Sequence, residues 1–214
     1  MPPALESWNA SQHPDQLRLN AFLDHVEASL PDLPDNHAVL ELSVGFPASR
    51  SLTSSGGDLD NYLFPIARRL GAARFDAMFA SKRHAEHSSI AVAPSQRLQA
   101  QGELNMEVRT TASATTRAWK EQVHAACQTA CPTAASQGPI EVDLEFRLSP
   151  ARNWSSLWKP SIDSLGPLLG YRDPRRPFAP QDDRIMRLGL HRALDASVGW
   201  DIIISAWWTH KAPL

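Results

Sequence analysis

Asp58 and Asp60 stand one residue apart in front of Asn61, in the stretch GGDLDNYLFPIARRLG (56–71). Paired carboxylates suit a hard divalent ion such as magnesium, which prefers oxygen ligands and keeps several of its waters. An ion held there would activate a water and stabilise charge growing on phosphorus oxygens during phosphodiester hydrolysis. The same side chains would serve equally well as the cap and first turn of a helix, where negative charge is favoured. A similar stretch, PSIDSLGPLLG (160–170), keeps one acid, Asp163, and the pair Asp182 and Asp183 follows. For these the plain alternatives are a cap on a short helix and a solvated turn.

The elements that must position these acids are legible from periodicity. Leu19, Phe22, Leu23, Val26 and Leu30 recur at helical spacing in residues 14–32, which predicts an amphipathic helix stopped by Pro31. NHAVLELSVGFP (36–47) alternates as a strand. A Ser/Gly loop then leads to a helix from about Asp58 to Leu70, ended by Gly71. RFDAMFASKRH (74–84) and SSIAVAPS (88–95) predict two strands joined by the turn AEH. In the second half, GELNMEVRT (102–110) predicts a strand and residues 113–132 a helix. GPIEVDLEFRLSP (138–150) is another strand, followed by a loop at 151–160 and a short helix at 161–170. The strands DDRIMRLGLHR (182–192) and VGWDIIISAWW (198–208) close the chain.

The order helix, strand, loop, helix, strand, strand thus occurs twice. FPASR (46–50) ends the strand in one copy and LSPAR (148–152) in the other. A repeat of this kind decides the architecture. The expected fold is α/β (α+β), with two units at residues 1–95 and 96–214 related by a pseudo-twofold axis. Each unit is a small mixed sheet with packed helices.

A strand, a loop, D-x-D-N opening a helix and an acidic pair at the head of a later strand resemble the RusA family of Holliday-junction resolvases. The motifs are DLDN at 58–61 and PQDDRIMRLGLHR at 180–192. The resemblance implies small α/β endonucleases that work as homodimers, hold magnesium on aspartates and cut branched DNA. On that basis Asp58, Asp60, Asp163, Asp182 and Asp183 are the expected catalytic residues. Asp58, Asp60, Asp182 and Asp183 would hold the magnesium. The departures are as specific. In the first copy the family's lysine falls at Phe64 and its later acidic pair at Ala72 and Ala73. In the second copy the first aspartate falls at Ser161, the asparagine at Ser164 and the lysine at Pro167. Neither copy carries a full set, which is what decay after duplication produces. The expectation is a RusA-like protein that acts on or binds nucleic acid with catalysis lost and magnesium bound weakly. The alternatives are an active magnesium-dependent endonuclease cutting branched DNA, and a protein-interaction module on the same fold.

Lys82, Arg172, Arg175 and Arg176 are candidates to touch phosphate, and Trp154 and Trp158 to stack on unpaired bases. The plainer alternatives are solvated charges and core tryptophans. The net charge of −2 over 214 residues argues against broad nonspecific DNA binding, which rests on neutralising phosphates. It leaves room for a local basic patch and a branched or structured DNA partner. Cys127 and Cys131, one helical turn apart, read as small buried residues rather than a disulfide. His84 and His87 read as exposed turn residues. No apolar run nears the roughly 20 residues of a membrane span. The first residues lack a secretory pattern, so a cytoplasmic protein is expected. It would be a monomeric pseudo-dimer or a homodimer.

Overall fold

A computed structural model describes residues 13–30, 33–54, 56–95, 103–133 and 137–211. The helices are α1 (Pro14–Ala28), α2 (Leu59–Leu70), α3 (Arg117–Ala130), α4 (Ser155–Ile162) and α5 (Gly166–Leu169). The strands are β1 (Ala38–Phe46), β2 (Phe75–His84), β3 (Ser89–Pro94), β4 (Met106–Thr110), β5 (Ile140–Leu148), β6 (Ile185–Leu194) and β7 (Ile202–His210). Short 3-10 turns, Ala72–Arg74 and Asp182–Arg184, lead into β2 and β6. The chain is an α/β protein, and none of its described helices is long and apolar enough to cross a membrane.

All seven strands form one mixed sheet in the order β3-β1-β2-β6-β5-β7-β4. From either side the same pattern runs inward. β1 is parallel to β2 and antiparallel to β3, while β5 is parallel to β6 and antiparallel to β7. Each parallel pair has its register shift after the first residue pair, at Ala38/Val39 and at Ile140/Glu141. The two patterns meet where β2 pairs antiparallel with β6. Phe79 faces Gly189 at the centre of that seam, flanked by Ala77 on His191 and Ser81 on Arg187. β4 extends the second side only.

Strand alternation puts Leu40, Leu42, Val44 and Phe46 of β1 into the core, with Met78 and Ala80 of β2. Val142, Leu144 and Phe146 of β5, and Leu188 and Leu190 of β6, continue the same layer. The helices cover it. α2 contributes Leu59, Tyr62, Leu63 and Ile66, and Gly71 ends that helix with φ 86°, a conformation glycine adopts without steric cost. Trp119, Val123 and Cys127 form the buried stripe of α3. Cys127 and Cys131 are free thiols.

Three expectations need correction. Residues 155–160 are helical, not loop, because Trp154, Leu157 and Trp158 share one face and bury it. Trp154 and Trp158 are 2% and 1% exposed, so they are core side chains and not a stacking platform. Trp154 packs edge-on to Trp158 at 4.8 Å, and its indole N–H donates to the Ala72 carbonyl at 2.8 Å. Finally, Ser161 lies in the last turn of α4, its hydroxyl donating to the Leu157 carbonyl. It does not start a helix as Asp58 does, so those two residues are not equivalent.

The seam has no room for a side chain at Gly189. A Cβ there would lie 1.9 Å from Asp143 Oδ1. Asp143 cannot swing aside freely, because His191 Nε2 lies at 2.9 Å and Arg187 donates to it at 2.7 Å. Gly189→Ala is expected to cost about 1–3 kcal/mol, as overpacking does, read as a lower melting temperature. Adding Asp143→Ala removes the obstruction, so the double variant should lose less than the sum of the two single losses. Strict additivity would show that Asp143 is not what glycine accommodates.

Candidate functional site

Because β2 and β6 are antiparallel, the end of β2 lies beside the beginning of β6. The turn Asp182–Arg184 is thereby carried to the start of α2, and acids far apart in the chain meet. Asp58 occupies the N-cap position of α2 but makes no side-chain cap bond. Its Oδ2 instead accepts from Asn61 Nδ2 at 3.2 Å. Asp60, in the first helical turn, is 4% exposed, and Asp182 and Asp183 are each 7% exposed. Gly56 N donates to Asp183 Oδ2 at 3.4 Å, and Lys82 Nζ donates to the Asp183 carbonyl at 2.6 Å. The structure therefore brings Asp58, Asp60, Asp182 and Asp183 to one centre.

Two cations lie among them. Arg172 Nη2 is 3.2 Å from Asp182 Oδ1, 3.4 Å from Asp58 Oδ1 and 3.4 Å from Asp183 Oδ2. Lys159 Nζ is 3.2 Å from Asp60, 3.3 Å from Asp163 and 3.9 Å from Asp182. Asp163 also takes Lys120 at 2.7 Å, so it lies on the far side of Lys159 and does not join the other four. A small cleft of about 130 Å³ beside the centre is lined by Asp60, Asn61, Phe64, Trp158 and Lys159.

Burial sets the electrostatics. Asp182 is pushed up to about 7, first by burial and then by the charges of Asp58 and Asp60, which Lys159 and Arg172 only partly offset. Asp58 is raised by burial and by Asp60. Lys82 is pulled down to about 8 by burial, against the attraction of Asp183, Asp58 and Asp182. For Lys159 burial works against the charge, but Asp60, Asp163 and Asp182 outweigh it and raise the amine. The carboxylates and Lys82 are crowded out of water, whereas Arg172 and Lys159 keep nearly half of their side chains exposed, so solvent screens their attraction for the acids.

Among the described residues no group of three or more His, Cys, Asp or Glu is poised to hold a metal ion. Magnesium needs oxygens at about 2.0–2.1 Å in near-octahedral array. Here three carboxylates are spread around a guanidinium nitrogen at 3.2–3.4 Å. The magnesium implied by the family resemblance does not fit the centre as it stands. Asp58, Asp60, Asp182 and Asp183 are gathered on the chain's own cations.

The other candidates are placed as follows. Lys82 is 4% exposed and spent on a backbone carbonyl, so it is not a phosphate contact. Arg172 is held by the acids. Arg175 and Arg176 are exposed, on the segment that carries Arg172. Lys159 and Lys120 were missed by the sequence reading. The one local signal for Lys159 was its i,i+4 spacing to Asp163, while its partner Asp60 is 99 positions away.

At the opposite end of the seam the turn Ala72–Arg74 takes the place that Asp182–Arg184 takes here. Arg192 Nη1 donates to the Ala73 carbonyl at 2.6 Å, as Lys82 does to that of Asp183. No carboxylate pair stands in that turn, and Trp154 bonds to it through the Ala72 carbonyl.

The raised Asp182 predicts a pH dependence. Its carboxyl holds a proton better in the folded chain, having moved from 3.8 to about 7. That contribution to stability is complete below the unfolded pKa and is lost as pH rises through about 7. Asp182→Asn removes the loss. Thermal melts should show the variant gaining on the wild type as pH rises from about 5 to 8, with no gain near pH 4. Parallel curves would show that Asp182 does not titrate in this window.

No protein-family model matches the chain and no curated protein matches it, so what the centre does has to be read from its own side chains.

Proposed function

We propose that the chain is a RusA-like pseudo-dimer that binds branched or structured nucleic acid without resolving it. Its two units are inferred to be related by a pseudo-twofold axis through the Phe79–Gly189 pair. The support is the recurrence of strand order and register shift on either side of that pair. The matched bonds of Lys82 to Asp183 and Arg192 to Ala73 add to it. Helix starts do not correspond residue by residue, so the equivalence rests on the strands and on the turns that precede β2 and β6.

One observation carries the functional reading. The acids of both units meet at only one end of the seam, and there they are closed on Arg172 and Lys159. Symmetric resolution of a four-way junction needs two cuts, hence two centres. With one centre, and that one occupied by the chain's own cations, binding remains and paired cleavage is lost. Arg175 and Arg176, exposed on the segment that carries Arg172, supply phosphate contacts. A second reading, a protein-interaction module, is favoured by Trp200 and Leu194, which are 79% and 51% exposed.

The test is electrophoretic binding and cleavage on four-way, forked and linear DNA, with magnesium, manganese or EDTA. Retention of branched DNA without divalent ion and the absence of paired nicks are expected. Arg175→Ala with Arg176→Ala should weaken binding and lower the salt slope by about 2. Metal-dependent paired cleavage abolished by Asp60→Asn would establish an active endonuclease instead. Failure to retain any DNA would turn the reading to a protein partner.

A further inference from the structure

Between α2 and the turn Ala72–Arg74 only Gly71 intervenes, whereas between α5 and the turn Asp182–Arg184 the chain makes an excursion over residues 170–181. The excursion is closed and docked. Tyr171 and Pro180 form a bridge at its neck, and Gln181 N donates to the Gly170 carbonyl at 3.0 Å. The Tyr171 hydroxyl lies 2.9 Å from His124 Nε2 on α3. Its ring fills the space over Gly166, where a Cβ would lie 2.1 Å from it. Phe178 meets the His124 ring edge-on at 5.9 Å, and Lys120 Nζ lies 5.8 Å from the Phe178 ring centre. The docking leaves one charged side chain at the centre. Arg172 donates through Nε to the Pro180 carbonyl at 3.3 Å, and its Nη2 lies within 3.2–3.4 Å of Asp58, Asp182 and Asp183.

We infer that residues 171–181 are a strap whose Arg172 stands in for the divalent ion of a RusA-like centre, so that the chain closes its own acidic site against metal. The inference rests on the RusA-like reading of the centre and names its regulation. Carboxylates from both sides of the seam meet at one nitrogen, whose two N–H groups reach Asp58 and Asp182, while it holds Asp183 by charge alone. The arm that carries it belongs to one half only and is held by contacts remote from the acids. Removing the charge, or lifting the arm, should leave the buried Asp182 and Asp183 and the half-buried Asp58 without that counter-ion and open the centre to a hard cation.

The experiment measures manganese uptake by the electron paramagnetic resonance of free Mn²⁺, together with melting temperature in Mn²⁺ and in EDTA. Wild type should take up no manganese and melt alike in both. Arg172→Gln should bind one equivalent, with a melting temperature about 2–8 °C higher in Mn²⁺ than in EDTA. Adding Asp58→Asn and Asp182→Asn should abolish both effects. Gly166→Ala, which displaces the Tyr171 ring without changing any charge, should also bind manganese, more weakly. Circular dichroism establishes that each variant is folded. Equal uptake by wild type and Arg172→Gln would overturn the inference, as would a folded Arg172→Gln that takes up none. Binding by Arg172→Gln but not by a folded Gly166→Ala would overturn the role of the strap. None of these readouts involves nucleic acid, so failure to bind DNA would sink the proposed function and leave this inference standing.

Discussion

The antiparallel pairing of β2 with β6 is the constraint on which the rest depends. It joins two parallel strand pairs into one sheet and sets the end of one beside the beginning of the other. A parallel junction would have carried Asp182 and Asp183 to the far side of the sheet from Asp58 and Asp60. The centre is therefore a product of topology before it is a product of side chains. The helices then bury it, and burial turns proximity into a charge problem, because carboxylates out of water repel and resist ionisation.

The chain answers that problem with its own cations. Lys159 comes from α4 and Arg172 from the excursion after α5, and both cross to acids of the first half. Lys82 goes the other way, from β2 to the Asp183 carbonyl. These contacts fasten the two sides of the seam as well as partly offsetting the charge of the acids. Breaking one partner of such a set leaves a buried charge uncompensated, which costs more than the pair contributes net. At the other end the Trp154 indole and Arg192 fasten the seam through backbone carbonyls, and Arg192 also pairs with the half-buried Asp76 at 3.0 Å.

Much of this was legible locally. Alternation located β1 and β5, the period of apolar residues located α1 and α3, and the acidic start and Gly71 end located α2. Burial first, and behind it the charge of neighbouring acids, raises Asp58 and Asp182. What failed had non-local causes. Pro160 and a polar run made residues 151–160 look like a loop, but the apolar face of Trp154, Leu157 and Trp158 finds its partners in the core. A tryptophan in a presumed loop looks like a ligand contact until the sheet and the turn before β2 are in place. Arg172 reads as a free basic residue because its three carboxylates sit 114, 10 and 11 positions away. Nothing in the nearest sequence marks which of them it will meet.

The pairing of Phe79 with Gly189 has a consequence for how the seam can change. In a seam between two identical chains, a residue on the twofold axis meets its own copy, so every substitution there happens twice. Within one chain each of the two positions changes alone. A large ring beside a bare backbone is therefore open to this chain, and the two sides of its seam are not interchangeable.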